Sequence, residues 1–378
     1  MESDEQLTAG HRFPDDAAVM RHALQIAARG LGAVEPNPMV GAVIVDSDCC
    51  LVAEGWHEQC GEAHAEIIAI RNAPQTNGHR LFVTLEPCSH YGRTPPCADA
   101  VIAAGFREIV IGCEDPAEHV AGQGIARLRK AGFDVQVGLM EAEAKAVIAP
   151  FAMLHQHGRP WVHAKWAMTL DGKIAAVSGH SQWISGPASR KVVHELRGQV
   201  DAVITGSGTV RSDDPQLTAR PPGLRVATRV VLDSAGTSVR ADSQLIRTLH
   251  QAPLMVAVGE TADVDAVRAL NKLGATVLKL PPAAGGGLDV HELLKELGQR
   301  HITNVLLEAG GAVIGSFFDA QLIDEVHVFV APKLVGSAAA ASPIGGKGRS
   351  AIPELSDLQD VTVRQLEDDV LLQGRIRR

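Results

Sequence analysis

The sequence predicts a two-domain α/β protein in which strand-forming and helix-forming segments alternate along most of the chain. Its length of 378 residues is typical of two domains. In the first half, apolar runs and amphipathic segments follow the order β-β-α-β-α-β-α-β, which favours a mixed sheet sandwiched between helices. All six cysteines lie in the first third of the chain. This change in composition predicts a domain boundary at about residues 145–158.

Composition and charge narrow the class of protein. The hydrophobic fraction of 46% and the charged fraction of 21% are those of an ordinary globular protein. The net charge of −9 and the aromatic content of 3% count against polynucleotide binding. The scattered cysteines do not form a secreted disulfide framework, no apolar run approaches ~20 residues, and the acidic N-terminus lacks a signal pattern. We therefore expect a cytoplasmic enzyme with a small-molecule substrate and no nucleic-acid or membrane partner.

The elements of the first half follow from local patterns. Residues 1–14 are predicted to be a disordered leader, and residues 15–32 a helix that starts near Asp15 or Asp16. MVGAVIV and CLVAEGW predict a hairpin, and the next stretch predicts a helix, the strand LFVTLE, a loop and a second helix. EIVIGC, AGQGIARLRKAG and FDVQVGL then predict strand, helix and strand. Residues 140–158 are predicted to be a helix and linker.

Residues 61–97 carry the pattern of a catalytic metal site. His64, Cys88 and Cys97 supply one imidazole and two thiolates, the three protein ligands of a zinc ion that keeps its fourth position for water. Bound zinc lowers the pKa of that water to roughly 7. Glu66 is the candidate carboxylate that moves protons to a leaving amine. A cysteine at the start of a helix, as predicted for Cys97, has its thiolate stabilised by the helix dipole.

The spacing H-x-E…P-C-x-x-C marks zinc-dependent nucleobase deaminases, and this chain departs from it because eight residues separate Cys88 from Cys97. With PNPMVG at 36–41, HAE, and EPCSHYGRTPPC, the stretch resembles the pyrimidine deaminase domain of the bifunctional riboflavin-biosynthesis deaminase/reductase family. The resemblance implies a cytidine-deaminase-like three-layer αβα domain. It also implies that Asn37 and His90 bind substrate.

Glycine-rich turns follow two predicted strands of the second half. DAVITGSGTV places glycines at 206 and 208, and NVLLEAGGAVIGSFF places Gly310 and Gly311 between a strand and a helix. Such glycines let backbone N–H groups approach a phosphate at a helix N-terminus. Neither segment is a Walker loop or a convincing G-x-G-x-x-G fingerprint. From the residues alone, a glycine-rich turn without a ligand is at least as good an interpretation.

The second half resembles the reductase domain of the same family. WVHAKWAMTLDGKIA, SQWISGPASR, ITGSGTVRSDDPQLTAR, VLDS and LLEAGG occur in the family's order, so the resemblance spans about residues 15–375. It implies a dihydrofolate-reductase-like α/β fold, NADPH as coenzyme, and catalytic roles for Lys165 and Glu308. The substrate-contact positions are matched by Ser181, Arg197, Leu217 and Arg220. The cofactor positions are matched by Ala167, Trp183, Thr209, Asp213, Ser234, Gly310, Gly311, Ala312, Val313, Ile314, Gly315 and Ser316.

The expected organisation is a leader at 1–14, a zinc-dependent pyrimidine deaminase at 15–148, a linker at 149–158 and an NADPH-dependent reductase at 159–378. The expected function is hydrolytic deamination of 2,5-diamino-6-(ribosylamino)pyrimidin-4-one 5'-phosphate, then reduction of the ribosyl group to ribityl, by a homo-oligomer. Two alternatives stay open. One is a deaminase of another nucleobase or nucleoside fused to an unrelated oxidoreductase, against which the long Cys–Cys loop argues. The other is a zinc-stabilised binding protein, against which the intact Glu66 argues.

Overall fold

The computed structural model describes residues 7–89, 95–117 and 120–377. The chain divides into two compact units between His157 and Gly158. Among the described residues, no helix has the length and apolar character needed to cross a membrane.

The first unit is built on a mixed sheet that has five strands within its described residues. The strands are β1 Gly41–Val45, β2 Leu51–Trp56, β3 Arg80–Leu85, β4 Glu108–Cys113 and β5 Asp134–Val137. The helices are α1 Asp16–Ala27, α2 Ala65–Asn72, α3 Cys97–Ala104, α4 Gln123–Lys130, α5 Glu141–Val147 and α6 Ala149–His157. The sheet order is β2-β1-β3-β4-β5, with β1 antiparallel to both neighbours and β3, β4 and β5 parallel. The predicted β-β-α-β-α-β-α-β order and mixed sheet are confirmed.

Two glycines let helices lie directly on opposite faces of this sheet. A Cβ on Gly41 would be 2.1 Å from the carbonyl oxygen of Ala23 in α1. A Cβ on Gly55 would be 2.7 Å from the carbonyl oxygen of Ala65 in α2. Gly55 pairs with Ala42, the chain neighbour of Gly41, so the two glycines face opposite sides. The start of α2, where the metal-site pattern begins, is thus seated against the sheet.

Part of the predicted disordered leader is ordered, which corrects that prediction for residues 8–14. The N–H of Gly10 donates to the Leu51 carbonyl at 2.8 Å, and the N–H of Phe13 donates to the Cys49 carbonyl at 2.9 Å. Phe13 is 5% exposed and packs in the core. Backbone pairing beside β2 and one buried aromatic ring therefore fix this segment. Residues 1–6 lie outside the described residues.

The segment predicted as a linker, 149–158, is mostly helix α6. Its sequence APFAMLHQH is rich in residues with good helix propensity, and Met153 is buried. The unit therefore continues to His157 as folded structure.

The second unit is built on a sheet of nine strands in the part of the chain that the structure describes. The strands are β6 Trp161–Thr169, β7 Ala202–Gly206, β8 Thr228–Leu232, β9 Leu254–Gly259, β10 Thr276–Leu280, β11 Asn304–Leu307, β12 Glu325–Ala331, β13 Leu358–Leu366 and β14 Asp369–Ile376. The helices are α7 Pro187–Arg197, α8 Ser207–Asp213, α9 Gln244–Arg247, α10 Val264–Lys272, α11 Val290–Gln299 and α12 Gly311–Asp319. The order is β10-β9-β8-β7-β11-β6-β12-β14-β13, parallel from β10 to β12 and antiparallel from β12 to β13.

The parallel strands bring their carboxyl ends to one edge of the second sheet. Helix α8 begins directly after β7, and α12 begins four residues after the end of β11. Crevices at the carboxyl ends of parallel strands are the usual ligand sites of α/β folds. The fold therefore predicts the second unit's binding site at this edge.

Two glycines of α12 are explained by packing. A Cβ on Gly311 would be 2.4 Å from the carbonyl oxygen of Ser342, and a Cβ on Gly315 would be 2.4 Å from the carbonyl carbon of Gly345. The segment at 342–346 therefore lies directly against α12, which requires small residues on the helix.

Candidate active sites

Three predicted metal ligands of the first unit converge. The Nδ1 atom of His64 lies 3.2 Å from the Sγ of Cys97 and 3.7 Å from the Sγ of Cys88. All three ligand atoms lie within 4.8 Å of one another. Tetrahedral zinc has bonds of about 2.3 Å to sulfur and 2.0–2.1 Å to nitrogen, which separates neighbouring ligand atoms by roughly 3.5–3.8 Å. The residues present fit such an ion.

Helix ends place these ligands. His64 is the N-cap residue of α2, and Cys97 is the first residue of α3, as predicted. Cys88 follows β3, and its Sγ accepts a hydrogen bond from the backbone N–H of Cys97 at 3.3 Å. The hydrogen bond between the two sulfur atoms lowers the pKa of the Cys88 thiol and raises the pKa of the Cys97 thiol. Cys88 is therefore the more readily formed thiolate of the pair.

Glu66 lies in the first turn of α2 and is 3% exposed. Burial raises the pKa of its carboxyl group to about 7. A carboxyl group with that pKa exchanges a proton readily near neutral pH. His64 and Glu66 lie at the start of the same helix, so the first can reach a metal ion while the second reaches the pocket.

His57 is a pocket residue that the sequence reasoning missed. Its Nδ1 lies 3.1 Å from the carbonyl oxygen of Ala63, so Nδ1 carries the proton and donates. Its Nε2 then accepts from the side-chain amide of Asn37 at 3.1 Å. Burial lowers the pKa of His57, which keeps the ring neutral. The hydrogen bond between His57 and Asn37 fixes the orientation of the Asn37 amide, whose nitrogen donates to His57. The predicted substrate residue Asn37 is therefore held in one orientation.

Glu86 supports the segment that carries Cys88, and it too was not predicted. Its carboxylate accepts from the backbone N–H of Gly124 at 2.7 Å, Gly122 at 2.9 Å and Asp115 at 3.1 Å. Glu86 is 3% exposed. An acidic residue at the end of a strand is a known signal for capping a following helix. In this chain the helix that Glu86 caps, α4, begins 37 residues later, so the signal does not identify it.

The metal-ligand cluster opens into a cavity of 530 Å³. Asn37, His57, His64, Glu66 and Cys88 all line it. This volume is within the range of small-molecule sites. The predicted substrate residue His90 lies outside the described residues.

The second unit has a larger cavity, of 810 Å³, at the carboxyl ends of its parallel strands. Its lining includes all four predicted substrate residues and both predicted catalytic residues: Ser181, Arg197, Leu217, Arg220, Lys165 and Glu308. The fold therefore brings the predicted residues into one cavity, although Lys165 and Glu308 are 143 positions apart in the chain.

A buried ion cluster lies at the floor of this cavity. The Nε and Nη2 atoms of Arg197 donate to the two carboxylate oxygens of Glu308, at 2.6 and 3.0 Å. The Nζ of Lys165 lies 3.8 Å from the same carboxylate. Burial would raise the pKa of Glu308, but the charges of Arg197 and Lys165 outweigh it, and the pKa lies below its ordinary value. Burial, the largest effect, lowers the pKa of Lys165.

The two arginines among the predicted substrate-contact residues, Arg197 and Arg220, differ in their availability to a ligand. Both carboxylate-facing donors of Arg197 are engaged by Glu308, and its Nη1 donates to the Thr218 carbonyl at 3.3 Å. Arg220 is exposed, and its Nη1 donates to Gln216 and Thr218 side chains at 2.8 and 3.0 Å. Arg220 therefore presents a guanidinium group to an incoming anion more readily than Arg197 does.

The predicted cofactor positions fall into two groups. Lining the cavity are Ala167, Trp183, Thr209, Asp213, Gly310, Gly311, Ala312 and Val313. The side chain of Ile314 is fully buried in the core, and Gly315 packs on Gly345, so these two positions face away from the cavity. The lining also does not include Ser234, which is exposed after β8, or Ser316, whose hydroxyl donates to the Ala312 carbonyl.

The start of α12 fits a phosphate-bearing coenzyme. Gly310 is the N-cap residue, and a Cβ there would meet nothing within 4 Å, so the backbone faces open space in the cavity. Helix N-termini attract anions through free N–H groups and the helix dipole.

The mixed sheet, the His–Cys–Cys cluster and the buried carboxylate define the first unit as a zinc-deaminase type of domain. Residues 14–113 match the model of the cytidine and deoxycytidylate deaminase zinc-binding region, and residues 160–372 match the RibD C-terminal domain. The riboflavin biosynthesis protein RibD of Actinobacillus pleuropneumoniae is 39% identical over 94% of both chains. That of Escherichia coli is 38% identical over 94% of this chain and 98% of its own. The chain belongs to the RibD family of riboflavin biosynthesis proteins.

Solved structures agree with this assignment. The RibD of Acinetobacter baumannii superimposes with a TM-score of 0.82 at 35% identity, covering 96% of this chain and 99% of its own. A Thermotoga maritima protein described as a diaminohydroxyphosphoribosylaminopyrimidine deaminase/5-amino-6-(5-phosphoribosylamino)uracil reductase has a TM-score of 0.80 at 35% identity, covering 96% and 98%. The predicted fold class is therefore confirmed over both units.

Proposed function

We propose that the first unit deaminates 2,5-diamino-6-(ribosylamino)pyrimidin-4-one 5'-phosphate and that the second unit reduces the ribosyl group of the product with NADPH. The observation that carries the deaminase half is the convergence of His64, Cys88 and Cys97 beside Glu66 in one cavity. The activities described for the Thermotoga maritima protein supply the substrate class.

In the deaminase cavity, His64, Cys88 and Cys97 would hold a zinc ion, whose Lewis acidity would activate a water molecule near neutral pH. Glu66 takes one proton from the attacking water and delivers a proton to the departing amine, because its raised pKa allows both states. A carbon–oxygen bond forms, the carbon–nitrogen bond breaks, and ammonia leaves. Asn37, held by His57, orients the heterocycle.

In the reductase cavity, NADPH would supply a hydride to C1' of the ribosyl group, which is an imine carbon still bonded to the pyrimidine amine once the sugar ring has opened. Lys165 gives a proton to the imine nitrogen as that nitrogen gains an electron pair, because burial lowers the Lys165 pKa and makes its ammonium group a stronger acid. Glu308 holds Lys165 and Arg197 in place. Arg220 binds the substrate phosphate by charge-assisted hydrogen bonds, and the start of α12 binds a coenzyme phosphate.

We also propose that the protein works in the cytoplasm as a homo-oligomer. A reducing compartment suits the thiolates of the proposed zinc site. Large apolar side chains are exposed on the second unit, among them Leu334, Ile352, Leu355 and Val363. A contiguous patch formed by such side chains would be typical of an association surface.

The test is an assay that follows ammonia release and NADPH oxidation separately, with matched variants in the two units. Glu66→Gln is expected to keep its zinc and lose ammonia release by about 10²-fold or more, the usual share of a general acid–base. Its NADPH oxidation on supplied deaminated substrate should stay intact. Lys165→Gln should show the reverse pattern. Near-normal ammonia release by Glu66→Gln would remove Glu66 from the reaction, and release only from a different nucleobase or nucleoside would reject the substrate.

A further inference from the structure

A second group of metal-binding side chains lies outside both cavities, on one face of the second sheet. His163 lies on β6, and Glu325 and His327 lie on the neighbouring parallel strand β12. Glu325 is in register with His163, and His327 is two residues further along its strand. Because side chains alternate between faces along a strand, all three project to the same side. Neither proposed reaction uses them.

Their donor groups form a compact triangle of two ring nitrogens and one carboxylate, whose two oxygens each face one of the rings. The Nδ1 of His163 is 3.4 Å from the Oε2 of Glu325, the Nε2 of His327 is 3.1 Å from its Oε1, and the two ring nitrogens are 3.4 Å apart. A tetrahedral ion with bonds of about 2.0–2.1 Å separates its ligand atoms by roughly 3.3–3.4 Å. The two ring nitrogens are therefore spaced from each other, and each from one carboxylate oxygen, about as two ligands of one zinc ion are, and one ligand atom from each residue lies within 4.8 Å of the other two.

Neighbouring amides hold the outer nitrogens of both imidazole rings. The Nε2 of His163 lies 3.2 Å from the carbonyl oxygen Oδ1 of the Asn304 side chain, so Nε2 carries the proton and the Nδ1 lone pair points to the cluster. Asn304 is 3% exposed and donates to the Thr303 hydroxyl at 3.1 Å. The Nδ1 of His327 lies 2.9 Å from the amide nitrogen Nε2 of Gln373. A half turn of that amide places its oxygen there instead, so that Nδ1–H donates to it and the Nε2 lone pair of His327 is left for the metal. Metal-bound histidines carry such outer partners.

Charge and access also suit a cation. Arg375 is the cross-strand neighbour of Glu325, but its Nε donates to Asp360 at 2.9 Å, so another carboxylate neutralises it. The side chain of His327 is 4% exposed, whereas those of His163 and Glu325 are 18% and 22% exposed. One side of the triangle is thus reachable by water, which leaves room for a fourth, solvent ligand.

We propose that His163, Glu325 and His327 bind a divalent transition-metal ion of the zinc type, with water in its fourth position. Two imidazoles and one carboxylate form a ligand set that zinc accepts. The ion clips β6 to β12. Since Lys165 lies two residues beyond His163 on the same face of β6, the clip also steadies the strand that carries it.

Metal content of the full-length protein tests the site. After zinc loading and removal of loose metal, the wild type is expected to hold two zinc ions per chain. Glu325→Gln, which keeps the shape but removes the anionic ligand, and Cys88→Ser should each hold one, and the double variant none. His250→Gln, at an exposed histidine, is the matched control and should hold two. His163→Gln serves as the second variant if Glu325→Gln fails to fold.

Cobalt loading and heat denaturation separate this ion from the one in the deaminase cavity. Cobalt in Cys88→Ser should give ligand-field bands without the thiolate-to-cobalt charge transfer expected of the cysteine site. Chelator should lower the melting temperature of Cys88→Ser and leave that of the double variant unchanged. One zinc in the wild type and none in Cys88→Ser would overturn the proposal and leave a hydrogen-bonded cluster only. A second ion that survives both Glu325→Gln and His163→Gln would overturn it too.

Discussion

Replacing Glu308 by Gln should destabilise the second unit, because it removes the carboxylate that contacts two buried cations, Arg197 and Lys165. The side chains of Glu308, Arg197 and Lys165 are 9%, 13% and 17% exposed. Removing one partner of a buried ion pair costs about 3–5 kcal/mol, since the other charge stays buried without compensation. Glutamine keeps one carbonyl acceptor for Arg197, so we expect the lower end, about 3 kcal/mol. For a unit of this size, that corresponds to a melting temperature lower by roughly 6–12 °C.

The dependence on pH has a defined sign. The folded-state pKa of Glu308 lies below its ordinary value because the cations Arg197 and Lys165 outweigh burial. A carboxyl group of this kind stabilises the fold above its unfolded-state pKa, and the contribution disappears as the pH falls through the folded-state pKa. The difference in the free energy of unfolding between the wild type and Glu308→Gln should therefore have its full size at pH 7 and decrease below about pH 4.3.

Urea unfolding followed by tryptophan fluorescence measures the effect, because Trp161 and Trp166 lie in β6 of this unit. Glu260→Gln, at an exposed carboxylate, is the control and should change stability little. A double-mutant cycle with Arg197→Gln isolates the pair, and we expect a coupling of about 2 kcal/mol. Coupling below about 0.5 kcal/mol, the level found for independent sites, would refute the assignment of Glu308 and Arg197 as a buried pair.

Two further predictions concern Asn37 in the first unit and the glycines Gly310 and Gly315 in the second. Asn37→Ala should raise the KM for deamination more than it lowers kcat, because it removes a substrate-binding group that His57 orients. Steady-state kinetics of ammonia release measures both constants. A lower kcat with an unchanged KM would contradict this prediction. Gly315→Ala should destabilise the second unit by about 1–3 kcal/mol, because its Cβ would meet the Gly345 backbone, whereas Gly310→Ala should leave stability unchanged and weaken NADPH binding. Denaturation and coenzyme titration measure both variants, and equal loss of stability would refute the packing account.

Local signals predicted the parts of the site that depend on neighbouring residues. The sequence correctly predicted that Cys97, which follows two prolines, lies at the start of a helix, and it correctly predicted a helix between the hairpin and the strand LFVTLE, whose start carries His64 and Glu66. Both features depend on the first turn of a helix, and the start of a helix is determined by four or five consecutive residues. The α/β order of the first unit could be predicted for the same reason.

Contacts between distant residues could not be predicted in this way. No local pattern in the sequence shows that the guanidinium group of Arg197 forms an ion pair with Glu308, which is 111 residues away. Phe13 lies in the segment predicted to be a disordered leader, yet its ring is buried in the core of the first unit. Main-chain pairing and burial of one ring depend on where the chain returns in space, and that information is not contained in a short window.

The two buried glutamates show how environment divides the chemical roles. Glu66 and Glu308 are both buried at the edge of a cavity, but burial raises the pKa of Glu66 to about 7, whereas Arg197 and Lys165 hold the pKa of Glu308 below its ordinary value. A carboxyl group that changes protonation near pH 7 can move protons, and one that stays ionised cannot donate. The sequence assigned catalysis to both. The structure favours Glu66 as the proton carrier of one unit and Lys165, positioned by an ionised Glu308, as the proton donor of the other.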